Sequence, residues 1–76
     1  MIRQLLVFVP RGGDRMMMRS SVEPIVTRSE HLRTSWTALD APGWLLCEVE
    51  VPGELVDVDR LIADLQATGA RTELLP

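Results

Sequence analysis

The chain has 76 residues, of which 46% are hydrophobic and 25% are charged, and its formal net charge is −3. This composition excludes a disordered chain and indicates one small folded domain. The single cysteine, Cys47, excludes an intramolecular disulfide and most cysteine-based metal sites, so we expect self-association to supplement a core of this size.

The first predicted element is a buried strand over residues 2–9, because this segment is short, rich in β-formers and closed by Pro10. The glycine-rich turn at 11–14 cannot extend the strand regularly. Residues 15–19 contain the methionines 16–18 and fit a strand extension, a loop or a helical turn. Their conformation therefore stays open.

A first helix is predicted from Ser20 onwards, because residues on one helical face recur at the spacing of an α-helix. These residues are Val22, Ile25, Val26, Ser29 and Leu32. Pro24 then falls in the first turn, and Ser20 or Ser21 caps the start, with Glu23 at the capping-box spacing from Ser20.

A β-hairpin is predicted next, with strands at 33–39 and 44–51 joined by a turn at 40–43 that contains proline and glycine. The two-residue period of a strand places alternate residues of 44–51 on opposite faces. The predicted core side consists of Leu45, Cys47, Val49 and Val51, and the other side of Trp44, Leu46, Glu48 and Glu50.

A second helix is the best specified element, with an apolar face of Val58, Leu61, Ile62 and Leu65. Asp57 is its predicted N-cap, Val56 and Leu61 form a hydrophobic staple, and Gly69 ends it. A short strand over residues 71–75 follows. The order strand, helix, strand, strand, helix, strand predicts an α+β, ferredoxin-like domain over residues 1–76.

This fold places both helices on one face of a four-stranded antiparallel sheet and leaves the other face open. We expect a ligand, a nucleic acid or a second copy of the chain to cover that face. The candidate residues for such an association face are Trp36, Trp44 and Leu46, because tryptophan is enriched at the centres of protein interfaces.

Several short motifs of the second half occur in the order found in a known regulatory module. They are Gly43-x-Leu45, Glu48-Val49-x-Val51-x-Gly53, Val58-Asp59, Leu61-Ile62, Leu65, Gly69-Ala70 and Glu73-Leu74. In these residues the chain resembles the NIL domain, an ACT-like regulatory module. The first half matches through Glu23-Pro24-Ile25 and departs from the family in the loop at 12–19 and around Trp36.

The resemblance implies a homodimer joined through the sheets and a small amino acid held at the subunit interface. The methionines at 16–18 would then line an adaptable apolar contact, since methionine fills irregular gaps; the alternative is that they fill the core or a loop.

Basic charge is concentrated in the first half, where residues 1–33 carry six arginines and three acidic residues. One loop there has the composition of an anion cradle, since glycines let backbone N–H groups approach a phosphate. It consists of Arg11, Gly12, Gly13, Arg15 and Arg19. The loop lacks the lysine and Ser/Thr of a P-loop, and a solvated loop is the favoured interpretation.

The remaining residues with reactive side chains do not form a catalytic or metal-binding group. His31 is the only histidine, and Cys47 lies on the predicted core side of a strand. We therefore expect no enzyme, no metal and no cofactor. No apolar run approaches the ~18 residues of a membrane span, and the first nine residues do not fit a signal peptide, so we expect a cytoplasmic protein.

The sequence thus predicts a non-enzymatic regulatory or ligand-sensing module that self-associates through its sheet. One alternative is a nucleic-acid or anion-binding protein that uses the arginine-rich loop, although the net negative charge opposes phosphate binding and makes nucleic acid an unlikely partner. The other alternative is an accessory subunit whose partner covers the sheet.

Overall fold

The computed structural model describes residues 1–10, 15–40 and 43–76, and for residues 15–18 it describes the backbone alone. The elements in chain order are β1 (Ile2–Pro10), α1 (Arg15–Val26), β2 (Arg33–Ala38), β3 (Trp44–Pro52), α2 (Val58–Ala67) and β4 (Arg71–Leu74). The strands form one antiparallel sheet in the order β2-β3-β1-β4. This is the α+β, ferredoxin-like fold that the element order predicts.

The core lies between the sheet and the two helices. Leu5, Val7 and Val9 of β1 are fully buried and alternate with partly exposed neighbours, as the two-residue period of a half-buried strand requires. Both helices add fully buried residues to the same cluster, and these are Val22, Val26, Leu61 and Leu65. Each such side chain stabilises the fold by roughly 2 kcal/mol, and all of them lie on one face of the sheet.

The second helix is built as its sequence predicts. Asp57 is the N-cap, and its side chain accepts a hydrogen bond of 3.1 Å from the backbone N–H of Arg60. Leu61 and Leu65 are its buried residues. The helix ends at Ala67, and Gly69 follows with a φ of +94°, a conformation that glycine adopts without a steric penalty.

The first helix differs from its prediction at both ends. It begins at Arg15 and ends at Val26, so Pro24 lies in its last turn and neither Ser20 nor Ser21 is its N-cap. The chain turns after Val26, and the Thr27 hydroxyl donates a hydrogen bond of 2.7 Å to the Glu23 carbonyl in the last turn. The predicted apolar face is confirmed for Val22 and Val26, which are fully buried.

Candidate functional site: the open face of the sheet

The sheet face opposite the helices is called the open face here. The strand register places the outward residues of β1 and β3 at its centre and those of β2 and β4 at its sides. These residues are Ile2, Gln4, Leu6, Phe8 and Pro10 of β1; Trp44, Leu46, Glu48, Glu50 and Pro52 of β3; Arg33, Ser35 and Thr37 of β2; and Arg71 and Glu73 of β4.

Apolar and charged side chains are segregated along this face. Phe8 lies opposite Leu46, and Pro10 lies opposite Trp44, so one end of the face is apolar. Gln4 lies opposite Glu50, which has Arg33 as its neighbour on the other side, so the face is polar on this level, and the apolar pair Ile2 and Pro52 follows at the far end. The apolar side chains are partly exposed, whereas those of the core are fully buried.

An open depression of about 370 Å³ lies at the apolar end. Its apolar wall consists of Phe8, Leu39 and Trp44, and its polar wall includes Arg71 and Glu73. Among the described residues neither Arg71 nor Glu73 takes part in an ion pair. Ligand sites typically measure about 300–1,000 Å³, so the depression has the size of a small-molecule site.

A second depression of about 220 Å³ lies at the polar end, near Arg33, Glu48 and Glu50. Its volume is below the usual range of ligand sites, and its walls lack a large apolar side chain. The depression at the apolar end is therefore the stronger candidate for ligand binding.

Trp36 does not lie on the open face with Trp44 and Leu46. It is the register partner of Cys47, a fully buried residue, and it packs against the core on the helix side. The structure therefore separates the three residues that the sequence groups together. Trp44 and Leu46 remain candidates for an association face, and Phe8 joins them.

The guanidinium carbon of Arg19 lies 4.5 Å from the centroid of the Trp36 ring. The same guanidinium lies 3.4 Å from a carboxylate oxygen of Glu23. A cation–π contact of this kind contributes about 0.5–1 kcal/mol at an exposed site. Arg19 therefore joins α1 to β2, and its charge is already engaged within the protein.

The structure does not test the other four residues of the predicted anion loop. Arg11, Gly12 and Gly13 lie outside the described residues, and for Arg15 the structure describes the backbone alone, at the start of α1. The methionines 16–18 belong to the same helix, and their side chains likewise lie outside the described part of the chain. The anion-binding hypothesis therefore stays a prediction.

Cys47 lies on the core side of β3, as the sequence predicts. Burial raises the pKa of the Cys47 thiol to about 11, so the thiol is protonated at neutral pH. His31 is exposed in the turn after α1. Among the residues of the described ranges, no three His, Cys, Asp or Glu side chains come together as a group that would hold a metal ion.

Another arginine, Arg28, links the end of α1 to α2. Arg28, just after α1, donates a hydrogen bond of 2.7 Å to a carboxylate oxygen of Asp64 on α2. This hydrogen bond is the main reason that the pKa of Asp64 is lowered from its usual 3.8, and the charges of Arg28 and Arg60 act in the same direction. The ion pair holds the two helices together on the side remote from the open face.

The strands and helices form a small α+β domain of the ferredoxin-like type, with both helices on one face of its sheet. Comparisons with protein-family models, curated proteins and solved structures found no match. The resemblance to the NIL domain therefore stays a prediction. In the described part of the chain, neither helix has the length and apolarity needed to cross a membrane.

Proposed function

We propose that the protein is a non-catalytic regulatory module of the cytoplasm that self-associates through the open face of its sheet and senses a small ligand. The observation that carries the proposal is the apolar end of the open face. Among the described residues, no helix or strand covers Phe8, Trp44 and Leu46 there, and the depression beside them is lined by Arg71 and Glu73.

The depression has the chemistry to bind a free amino acid with an apolar side chain. The Arg71 guanidinium is a donor for the carboxylate of such a ligand, and the Glu73 carboxylate is an acceptor for its ammonium group. The apolar wall of Phe8, Leu39 and Trp44 would contact the side chain. One small site thus offers a partner for each part of the molecule.

Self-association is supported by the contrast between the two faces of the sheet. The inner face is sealed by α1 and α2, whereas the outer face shows partly exposed aromatic and aliphatic side chains. Aromatic residues are enriched in the buried centres of protein interfaces. A second copy would remove Trp44 and Leu46 from water without disturbing the core.

The position of the two tryptophans allows ligand binding to be tested by fluorescence. In the variant Trp36→Phe, Trp44 is the only tryptophan, and it borders the depression. Titration with leucine, methionine or phenylalanine is expected to change its emission to saturation. Arg71→Gln in the same background is expected to weaken binding by about 10- to 100-fold, because it removes a charge-assisted hydrogen bond of about 1.5–3 kcal/mol.

Two results would contradict this proposal. The first is emission that none of the three amino acids changes, together with native mass spectra that show no retained small molecule. The second is recovery of this chain in a stable complex with a different protein that covers Trp44. That result would favour the accessory-subunit alternative. The variant Trp44→Phe, in which Trp36 reports from the other face, is the control for unspecific quenching.

A further inference from the structure

The arrangement of side chains on the open face restricts how two copies can meet. When two copies stack their sheets face to face, a two-fold axis in the plane between the sheets relates them. If one residue of the first copy contacts a given residue of the second, the same contact occurs again with the two copies exchanged. When the strands of the two sheets are aligned, the more common arrangement for stacked sheets, the axis runs either parallel or perpendicular to the strands. The two choices bring different residues together.

With an axis parallel to the strands, between β1 and β3, each β1 lies on the β3 of the other copy. Residues that are register partners within one chain then also meet between chains. The contacts are Pro10 with Trp44, Phe8 with Leu46, Leu6 with Glu48, Gln4 with Glu50 and Ile2 with Pro52. Three of these five pairs are apolar, and Gln4 with Glu50 joins an amide donor to a carboxylate. The pair Leu6 with Glu48 is unfavourable, because a carboxylate loses water against a leucine.

The same axis places β4 of one copy on β2 of the other, and the side chains that meet there are compatible. Arg71 and Thr37 occupy one level of the sheet, and Glu73 and Ser35 occupy the next. Arg71 therefore meets the Thr37 hydroxyl and Glu73 meets the Ser35 hydroxyl, and no two charges of the same sign lie directly opposite each other.

An axis perpendicular to the strands gives poorer contacts. Centred on the level of Leu6, it places Glu48 on Glu48 of the second copy and Leu46 on Glu50. Like charges in direct contact oppose association, and a carboxylate that loses water against a leucine costs free energy. Centred on the level of Phe8, it places Trp44 on Glu48 and Arg71 on Arg71.

We infer that a second copy of this chain covers the open face about a two-fold axis that runs parallel to the strands, between β1 and β3. This inference rests on the self-association proposed above and specifies its geometry. The four strands span roughly 20 by 20 Å, or roughly 400 Å² of projected area per copy. Specific interfaces typically bury about 800 Å² of accessible surface per partner, so the dimer dissociates on dilution.

The axis has a consequence for the ligand. The depression beside Phe8 and Arg71 lies at the apolar end of the face, and the second copy places its Leu46 and Thr37 over that end. A ligand in the depression would thus be enclosed between two copies. Ligand binding and dimer formation therefore favour each other.

Site-directed cross-linking tests the axis. Ser35→Cys and Glu73→Cys proteins, whose replaced residues meet across the proposed axis, are mixed in equal amounts and treated with a bis-maleimide matched to the ~10 Å spacing of stacked sheets. The expected result is a cross-linked dimer in up to about half of the protein, and none from either variant alone, because identical residues of the outer strands are then offset sideways by three strand spacings, roughly 14 Å. Cys47 is buried and does not compete for the reagent. Circular dichroism verifies that each variant folds.

The control pair is Arg33→Cys with Thr37→Cys, which lie at opposite ends of β2 and meet only if the axis is perpendicular to the strands. A cross-link in this pair, or between two copies of Thr37→Cys, would overturn the inference while self-association stands. So would a dimer by light scattering that yields no product from Ser35→Cys with Glu73→Cys. A monomer at every concentration up to about 1 mM would instead contradict the proposed self-association itself.

Discussion

Truncation of Leu65 to alanine tests whether α2 covers the inner face of the sheet. Leu65 is fully buried within the core cluster. Leucine-to-alanine changes at such positions cost about 2–5 kcal/mol, because they remove apolar contacts and leave a cavity. A domain of this length has a total free energy of unfolding of roughly 4–11 kcal/mol. We expect Leu65→Ala to lower it by about 3 kcal/mol, which is at least a quarter of the total.

The assay is urea unfolding followed by far-ultraviolet circular dichroism. The matched control is Arg60→Ala on the same helix, whose side chain is 75% exposed and lies 3.6 Å from Asp64. A surface ion pair of this kind contributes little, so the control should stay within about 0.5 kcal/mol of the natural protein. If Leu65→Ala costs less than about 1 kcal/mol, α2 does not pack on the sheet as described and the distinction between the two sheet faces fails.

Three further predictions concern single side chains. Asp57→Ala removes the N-cap of α2 and should lower the free energy of unfolding by about 1 kcal/mol in thermal melts, whereas an unchanged melting temperature would exclude this capping role. Asp64→Asn should be less stable than the natural protein at neutral pH and equally stable in strong acid. Arg28 lowers the pKa of Asp64 in the folded state, so the stabilisation that the Asp64 carboxylate provides is lost as the pH falls below 3.8 through that pKa. A stability difference that is the same in neutral and acidic urea titrations would contradict this. Cys47 should react with a thiol reagent at about pH 8 only after unfolding, and labelling as fast in buffer as in urea, measured by mass spectrometry, would show that it is not buried.

Much of the fold follows from local signals in the sequence. The strand that became β1 and the helix that became α2 each show the period of their structure, and Asp57 and Gly69 mark the ends of α2. The sequence leaves the start of α1 open, because Pro24 is assigned to the first turn after Ser20 while residues 15–19 fit a strand extension, a loop or a helical turn. Proline has no N–H to donate to the carbonyl four residues earlier, but the helix accommodates it in its last turn.

The face on which Trp36 lies depends on the register of the hairpin. Trp36 pairs with Cys47 and Ala38 pairs with Leu45, so an even-numbered residue of β2 lies beside an odd-numbered residue of β3. Trp36 and Trp44 therefore point to opposite sides of the sheet. A shift of one residue would place them together, and the turn sequence does not determine that shift.

The depression was not predicted because its residues come from separate segments. Arg71 and Glu73 are two residues apart on β4 and share a face, which the two-residue period of a strand implies. Only the pairing of β4 with β1 brings them beside Phe8. That pairing joins residues more than sixty positions apart, so no local pattern indicates it.

Sedimentation velocity over a range of concentrations tests the central claim, that the open face joins two copies. The natural protein should form a dimer, and Trp44→Glu should remain monomeric while folded by circular dichroism. A tryptophan that is buried in an interface contributes about 2 kcal/mol, and it occurs twice in a symmetric dimer, so the expected weakening is about 1,000-fold. Trp36→Phe, on the other face, should dimerise like the natural protein. A Trp44→Glu protein that dimerises as strongly as the natural one would contradict the account.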